Sequence, residues 1–573
     1  GACGNPLLVI YNDCPILAGF HVAGCGNGKG YAKNISQADV NVLRAKFSTF
    51  MPQGAPSQDI DLTSYNEPTG YVTITPDIHP KSFIRFIEEG NADVFGEVVN
   101  VKVSKPRHDV VHSRFHDFVV KHFGKPKHHA PEFKIGNTKH GWNNPFQNGI
   151  AKIVGSQVEI PPHFLDAAAQ SYIKQVMDNV ALEEFTKLKP LTDRQTINGD
   201  PMEKFIRGMK RNTGAGHGAS RTKMAYLEPD PDSSGLNDVR FKAEQREHVK
   251  VLGEKMLTGT VGPIFMAHMK NEPVSVKARD PPDKSFENHD CDYDCVNERL
   301  KEVRMFSGVP MAWQFWVRKL FLPLVNVIQR FNFAFECAVG VNAQSGDWQA
   351  IMEHICHFGS DRLVAGDFEA FDKLFPSVLT YIVMTIMIHF LSLGEFSNDD
   401  KKRMSSIRGD TAFPVILVMF LLMRLWNSNP SGRPLTVVIN SIGNSLYMRI
   451  AWQIVGNDIA DINSCVRLMT YGDDNCIGIK SGCNFNHTLI RRALATLGIN
   501  YTMADKSAIS VPLISIGEVD FLKRKFVQSE FGILAPLSVD SIVRMLCFKY
   551  DTKMDALNHN CLVLEDGFVE AWF

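Results

Sequence analysis

The sequence predicts an α+β protein whose chemistry is carried by an antiparallel hairpin, and three stretches predict it. Val466 to Met469 and Cys476 to Ile479 are apolar runs of strand length, joined by Tyr471-Gly472-Asp473-Asp474. A Gly-Asp step between two such runs signals a tight hairpin, because Gly accepts the positive φ that the turn needs. Leu363 to Gly366 is a second buried strand; it ends in Asp367 and runs through Asp372 into an apolar helix beginning near Ser377. Tyr381 to Leu393 and Phe413 to Met423 are the most apolar segments, too short to span a bilayer, and both read as buried helices.

The hairpin holds two adjacent carboxylates, Asp473 and Asp474, at its tip. Like charges so placed repel each other unless a cation sits between them. Mg²⁺ suits that role, since it takes hard oxygen ligands and leaves positions open for substrate phosphates. The competing reading of the four residues alone is a solvated turn.

The rest of the chain sets bounds. With 573 residues, 44% hydrophobic and 21% charged, it is an ordinary globular protein and not a disordered one. A net charge of -1 gives no general attraction for nucleic acid, so any such binding must use local basic surfaces. The cysteines form no regular framework and several lie in apolar runs, which suits a reducing compartment. His289, Cys291 and Cys295 lack a second ligand pair and read as a loop before they read as a zinc site. The first residues do not read as a signal peptide, no transmembrane segment is expected, and there are no repeats or low-complexity tracts.

Taken in order, the chain opens with Gly1-Ala2-Cys3-Gly4, then Leu7 to Ile10, then Gly19-Phe20-His21-Val22-Ala23-Gly24. This pattern resembles the end of a picornavirus-type, chymotrypsin-like cysteine protease. The resemblance implies a β-rich remnant with Cys3 as nucleophile and His21 as the residue reading a substrate glutamine. That chemistry also needs a general base and an orienting acid. In the family both lie upstream, so the remnant is expected to be inactive alone. Thr49 to Pro68 has linker composition and contains Gln53-Gly54, the kind of bond such a protease cuts; Gln37-Ala38 and Gln58-Asp59 are weaker candidates.

Beyond the linker, His108, His112 and His116 share a helical face by spacing, followed by Lys121, Lys125 and Lys127. A solvated or phosphate-facing surface is the plainer reading there, and metal binding the sharper one. Arg211-Asn212-Thr213-Gly214-Ala215-Gly216-His217-Gly218 is a glycine-rich loop whose amides could approach phosphate, although it is not a Walker loop. Lys270-Asn271-Glu272 leads into a charged, looped segment, and Lys301 to Arg304 feed cations into the strand-like run Met305 to Gly308. Ser431-Gly432-Arg433-Pro434-Leu435-Thr436 then enters a helix whose exposed face offers Thr436 and Asn440 at i, i+4 spacing. Neutral groups of this kind suit recognition of a hydroxyl.

Strand-Asp, Ser-Gly loop with Thr and Asn, and hairpin Asp-Asp occur in a fixed order. That order resembles motifs A, B and C of the RNA-dependent RNA polymerases of picorna-like positive-strand RNA viruses. Gly498 to Ser507, with Lys506, resembles motif D; Phe521-Leu522-Lys523-Arg524 resembles motif E; Lys270 to Gly308 resembles motif F; and Thr213 to Gly218 resembles motif G. Two departures stand out. Glu302 occupies the place where relatives carry a motif F lysine, which displaces Lys301 by one, and the stretch after Phe526 is short for a thumb.

The resemblance implies a right-hand polymerase with an antiparallel palm sheet flanked by helices, in a fragment of a polyprotein. Its expected division is 1–50 protease remnant, 51–70 linker, 71–360 fingers with the start of the palm, 361–526 palm, and 527–573 partial thumb. It implies Mg²⁺, or Mn²⁺ in its place, on Asp367, Asp473 and Asp474, and Lys506 as general acid. Lys301 and Arg304 would neutralise the triphosphate, with Ser431 and Gly432 in the substrate loop. Asp372, Thr436 and Asn440 would read the ribose 2′-hydroxyl. Thr213, Gly214, Lys523 and Arg524 would contact RNA. Implied partners are an RNA template and primer, ribonucleoside triphosphates, a protein primer and the viral protease, at membrane-associated replication sites in the host cytoplasm. The rival readings are a reverse transcriptase, which usually has an aromatic residue where this chain has Asp372, and a non-catalytic RNA-binding scaffold.

Overall fold

The computed structural model describes residues 6–11, 14–24, 30–33, 74–75, 92–98, 101, 108–138, 141–154, 158–219, 221–233, 235, 237–279, 281–286, 294–505, 508–530 and 532–552. Cys3, the three candidate junctions at Gln37, Gln53 and Gln58, His289, Cys291 and Lys506 lie outside these residues, and of His21 only the backbone is described. Near the N-terminus Pro6–Tyr11, Cys14–Gly24 and Gly30–Lys33 pair as a three-stranded antiparallel sheet.

The centre of the molecule is a four-stranded antiparallel sheet in the order Val466–Tyr471, Asp474–Ile479, Leu363–Phe368, Tyr501–Met503. Leu363–Phe368 is buried along its whole length, which explains why it reads as an unbroken apolar run with no alternation. The hairpin forms as expected: Tyr471 pairs with Asp474, so Gly472 and Asp473 are its two loop residues. Gly472 has φ 63°, the sign that a two-residue hairpin of type II′ takes at its first loop position.

Helices cover this sheet. Thr436–Ile454 packs on the hairpin strand Val466–Tyr471 and against the helices Pro162–Asn179 and Ser377–Leu391. The last of these is the buried helix expected over Tyr381 to Leu393. Phe413 to Met423 is not a helix. It is the hairpin Val415–Val418 with Leu421–Leu425, turning at Met419 with φ 58°. The segment is buried on both faces, so its hydrophobicity carries no period to tell strand from helix, and no glycine marks its turn.

That hairpin belongs to a six-stranded sheet ordered Met305–Gly308, Ile264–Met269, Val415–Val418, Leu421–Leu425, Ala92–Val98, Ile74–Thr75. The charged segment after Glu272 is also more regular than a loop, since Val274–Ala278 pairs antiparallel with Glu298–Leu300. The three histidines do not share a helical face: His112 closes the strand Val110–His112, whereas His116 begins the helix His116–Phe123. The chain turns between them, which brings the two rings into a stack at 3.7 Å. Phe548–Tyr550 pairs with Val110–His112, and Lys127 reaches Asp540 at 3.2 Å, so the last described residues close back onto the early ones.

Candidate active site

The four-stranded sheet, the strand Met305–Gly308 and the loop before Thr436 meet around a cavity of about 740 Å³. Its floor carries Asp367, Asp473 and Asp474, with Asp372 at one side. Its wall carries Lys270, Lys277, Arg299, Lys301, Arg304, Lys373 and Lys523, together with Glu302 and Glu369. An acidic floor below a basic wall suits a cation bound together with a polyanion.

The acidic groups are held by backbone geometry. Asp367 pairs with Thr502 across the sheet and is 5% exposed. Asp473 and Asp474 ride on the hairpin, and the helix Thr436–Ile454 locks that turn from beneath. Asn444 Nδ2 donates to the carbonyls of Gly472 at 3.1 Å and Asp473 at 3.0 Å, and Ser441 Oγ accepts the Gly472 N–H at 2.9 Å. Asn444 Oδ1 accepts from Asn475 at 3.1 Å, and Asn475 Oδ1 accepts from the Tyr501 hydroxyl at 2.7 Å. A chain of buried polar groups therefore runs from the strand Tyr501–Met503 to the tip of the hairpin. Burial, reinforced by Asp473 and Asp367, pushes the Asp474 carboxyl up to about 7; Lys523 pulls it partly back.

Asp372 lies in the short helix Phe371–Leu374. Its backbone carbonyl accepts from Asn429 N at 2.9 Å and Ser428 Oγ at 3.1 Å, and its Oδ1 accepts from Asn440 Nδ2. Burial raises its carboxyl above the usual range, against the Asn440 hydrogen bond and the charges of Lys270, Arg304 and Arg433. Contrary to the sequence expectation, Asn440 is not on an exposed face. It is 5% exposed, because the polar residues of this helix form an inward stripe. Thr436 is turned to its own helix start, its hydroxyl donating to the carbonyls of Pro430 and Arg433, and it does not line the cavity.

Ser431 lines the cavity, and its carbonyl accepts the Ser307 N–H at 2.7 Å. A Cβ on Gly432, which has φ +109°, would lie 2.3 Å from the Ser307 carbonyl oxygen. Glycine there lets the loop close onto the strand that follows Arg304. Arg304 is held by Glu272, with Nη2 at 2.7 Å and Nε at 2.8 Å from Oε1. Lys523 lines the cavity, whereas Arg524 Nη1 donates to the Ala535 carbonyl at 2.7 Å. Thr213 and Gly214 do not line the cavity; Lys223 Nζ donates to Thr213 Oγ1 at 2.6 Å and to the Gly214 carbonyl at 3.0 Å.

Residues 299–564 match the family model described as Viral RNA-dependent RNA polymerase. This part of the chain is thus similar to viral RNA-dependent RNA polymerases. The chain is 24% identical over 415 residues to the RNA1 polyprotein of broad bean wilt virus 1, covering 70% of the chain and 21% of that polyprotein. It is 25% identical over 441 residues to the replicase polyprotein of cricket paralysis virus, covering 71% of the chain and 23% of that protein. The replicase polyprotein of acute bee paralysis virus is 24% identical over 589 residues, covering 95% of the chain and 28% of the polyprotein. The chain thus spans from about a fifth to somewhat over a quarter of the length of these relatives. The fold matches the Sicinivirus 3Dpol RNA dependent RNA polymerase with a TM-score of 0.65 at 16% identity, over 84% of this chain and 95% of that one.

Sequence reasoning missed Lys270, Lys277 and Arg299 as cavity residues, and Ser441 and Asn444 as the clamp on the hairpin. The available signal for the clamp was the polar set Asn440, Ser441, Asn444 and Ser445 on an otherwise apolar helix.

Proposed function

We propose that the chain extends an RNA strand on an RNA template, joining ribonucleoside triphosphates with release of pyrophosphate. The observation that carries this reading is the cavity itself, with Asp367, Asp473 and Asp474 facing seven cationic side chains. Phosphoryl transfer asks the protein chiefly for positioning and charge compensation, and both are present.

The donor set fits Mg²⁺ or Mn²⁺. It is made of hard carboxylate oxygens, and their mutual repulsion is what a cation would relieve. Among the described residues no group of three or more His, Cys, Asp or Glu side chains is placed so that by itself it could hold a metal ion. Mg²⁺ binds through one or two carboxylates and takes its remaining ligands from water and substrate phosphates. Bound there, the metal would acidify the primer 3′-hydroxyl and stabilise the leaving pyrophosphate.

In this reading Asp367 and Asp473 are the principal carboxylates and Asp474 the weaker one. Arg304, Lys301 and Lys270 face the triphosphate, Lys523 the primer strand, and Lys506 protonates the leaving group. Asp372, with Oδ1 held by Asn440, presents Oδ2 to the ribose 2′-hydroxyl. Asn440 thereby acts through Asp372, and Thr436 and Gly432 act by shaping the loop that carries Ser431. Arg524 supports the segment holding Lys523. Thr213 and Gly214 approach the template. A protein primer, and assembly at cytoplasmic membranes through other viral proteins, complete the reading; no helix among the described residues is long and apolar enough to cross a membrane. The similarity covering 95% of the chain includes part of the first 50 residues, which supports reading them as polyprotein sequence, here the end of the protease.

The test is extension of a preformed primer–template with ribo- and deoxyribonucleotides, with and without Mg²⁺ or Mn²⁺. Asp473→Asn is expected to abolish incorporation and leave RNA binding intact, because its amide cannot replace the carboxylate on a cation. Normal incorporation by that variant would overturn the metal assignment.

A further inference from the structure

We propose that Arg433 sets ribose selectivity from a distance, by fixing which end of the Asn440 side-chain amide faces Asp372. The inference rests on the reading of Asp372 as the acceptor for a 2′-hydroxyl. An asparagine amide has a donor end and an acceptor end of nearly the same shape. With its nitrogen toward Asp372 it holds the carboxylate in place; with its oxygen there it repels it. The shape of Asn440 does not choose between the two. Its neighbours do.

The choice is passed along a buried chain. A guanidinium can only donate, and Arg433 Nη2 donates to Asn429 Oδ1. The Asn429 nitrogen is thereby turned the other way, where it donates to Asn440 Oδ1 at 2.6 Å and to the Thr436 carbonyl at 3.3 Å. A backbone carbonyl only accepts, so it imposes the same orientation on Asn429 independently. With its oxygen used, Asn440 offers its nitrogen to Asp372 Oδ1. Arg433 is itself fixed by the Thr411 carbonyl, which accepts from Nη1 at 2.7 Å.

Water has little access to reverse this polarity, since Arg433 and Asn440 are each 5% exposed and Asn429 is 0% exposed. Burial also brings the Arg433 guanidinium down to about 9, opposed by the charge of Asp372. A buried cation is an expensive way to fill space, and an apolar side chain would pack there at lower cost. Arg433 is thus a positioning residue.

The experiment measures kcat and KM for one ribonucleotide and its deoxy counterpart on a preformed primer–template, using the full chain. Arg433→Gln can accept as well as donate, so the direction of the chain is lost. Asn429→Asp still accepts from Arg433 but presents a second acceptor to Asn440, which forces that amide to flip. Both are expected to lower the ribo-to-deoxyribo ratio of kcat/KM by about tenfold, the scale of one hydrogen bond in discrimination. Arg433→Lys, again donor-only, is expected to keep the ratio within about twofold. The double variant Arg433→Gln/Asp372→Ala should be no less selective than Asp372→Ala alone, which a general loss of packing would not produce.

If Asp372→Ala lowers the ratio while folded Arg433→Gln and Asn429→Asp leave it intact, the relay is overturned and the reading of Asp372 stands. If Asp372→Ala leaves the ratio unchanged, the ribose reading fails and this proposal fails with it. Thermal unfolding shows which variants fold. Should Arg433→Gln not fold, Asn429→Asp decides alone, because it keeps Arg433 and its partner.

Discussion

Replacing Asn444 by alanine tests whether the catalytic turn is held by its own hairpin or from the helix beneath. Asn444 is fully buried, and its nitrogen carries two hydrogens. These serve the Gly472 and Asp473 carbonyls at 3.1 and 3.0 Å; the Asp474 carbonyl at 3.4 Å is too far to add much. Alanine removes both bonds and leaves the Asn475 amide without its acceptor at 3.1 Å. Each of the three buried bonds lost contributes about 1 kcal/mol, and each partner left unsatisfied up to a further 1 kcal/mol or so, giving a destabilisation of roughly 3–6 kcal/mol. A protein in the middle of the ordinary stability range survives that loss, so the unfolded fraction stays small. Activity should fall much further. A shift of about 1 Å in a reacting group lowers rate by about 100-fold, and Asp473 and Asp474 sit on the released turn. Single-nucleotide incorporation at saturating substrate gives kcat, and thermal unfolding gives the stability. A kcat within about twofold of the parent, alongside the expected fall in melting temperature, would refute the clamp and leave the hairpin self-sufficient.

Two further outcomes follow from the same site. Gly366→Ala should destabilise by at least 1–3 kcal/mol or prevent folding, because its Cβ would lie 1.9 Å from the Tyr501 hydroxyl oxygen; wild-type thermal stability would contradict the packing of these two strands. Asp474 gives a pH dependence. Its carboxyl is raised to about 7, so its ionisation in the folded protein carries no penalty below the ordinary carboxylate range, a growing one as pH rises from about 4 to 7, and a full one above. A divalent cation relieves that penalty and competes with the proton. The apparent Kd for Mg²⁺ should therefore rise about tenfold from pH 8 to pH 6, and lose that slope in Asp474→Asn. Calorimetric titration measures it, and a flat profile would remove Asp474 from the cation site.

The parts of this site that were legible in the sequence are those written in local chemistry. Gly472 marks its turn because the turn needs a positive φ, and Asp367 is marked by the apolar strand that ends on it. Phe413 to Met423 was misread for a local reason as well. Burial on both faces erased the period, and Met419 takes the left-handed conformation where glycine would have been recognised. Asn444 and Ser441 were not legible, because polar residues on a helix ordinarily face water. What turns them inward is a set of backbone groups about thirty residues later in the chain. Glu336 is more distant still. It is 6% exposed, adopts φ 51°, and meets Arg449 at 2.7 Å across 113 residues, with Arg449 also reaching Gln175 at 2.7 Å. No spacing rule reaches across such a separation.

The floor and the wall of the cavity are built to different tolerances, and the difference matches their tasks. The floor rests on buried groups of fixed polarity: Tyr501 to Asn475 to Asn444 under the hairpin, and Arg433 to Asn429 to Asn440 under Asp372. Buried bonds of this kind are costly to break, so the carboxylates stay where a metal and a ribose would need them. The wall is looser. Arg304 has a side chain 61% exposed, and its carboxylate partner Glu272 is 36% exposed. An ion pair so open to water contributes roughly 0–1 kcal/mol, so in the proposed reaction a triphosphate would take the place of Glu272 at little cost. On the proposed function, Glu272 would hold the guanidinium beside the cavity until a phosphate replaced it. In the proposed reaction, rigid carboxylates below and exchangeable cations above would hold the reacting centre still while substrate enters and pyrophosphate leaves.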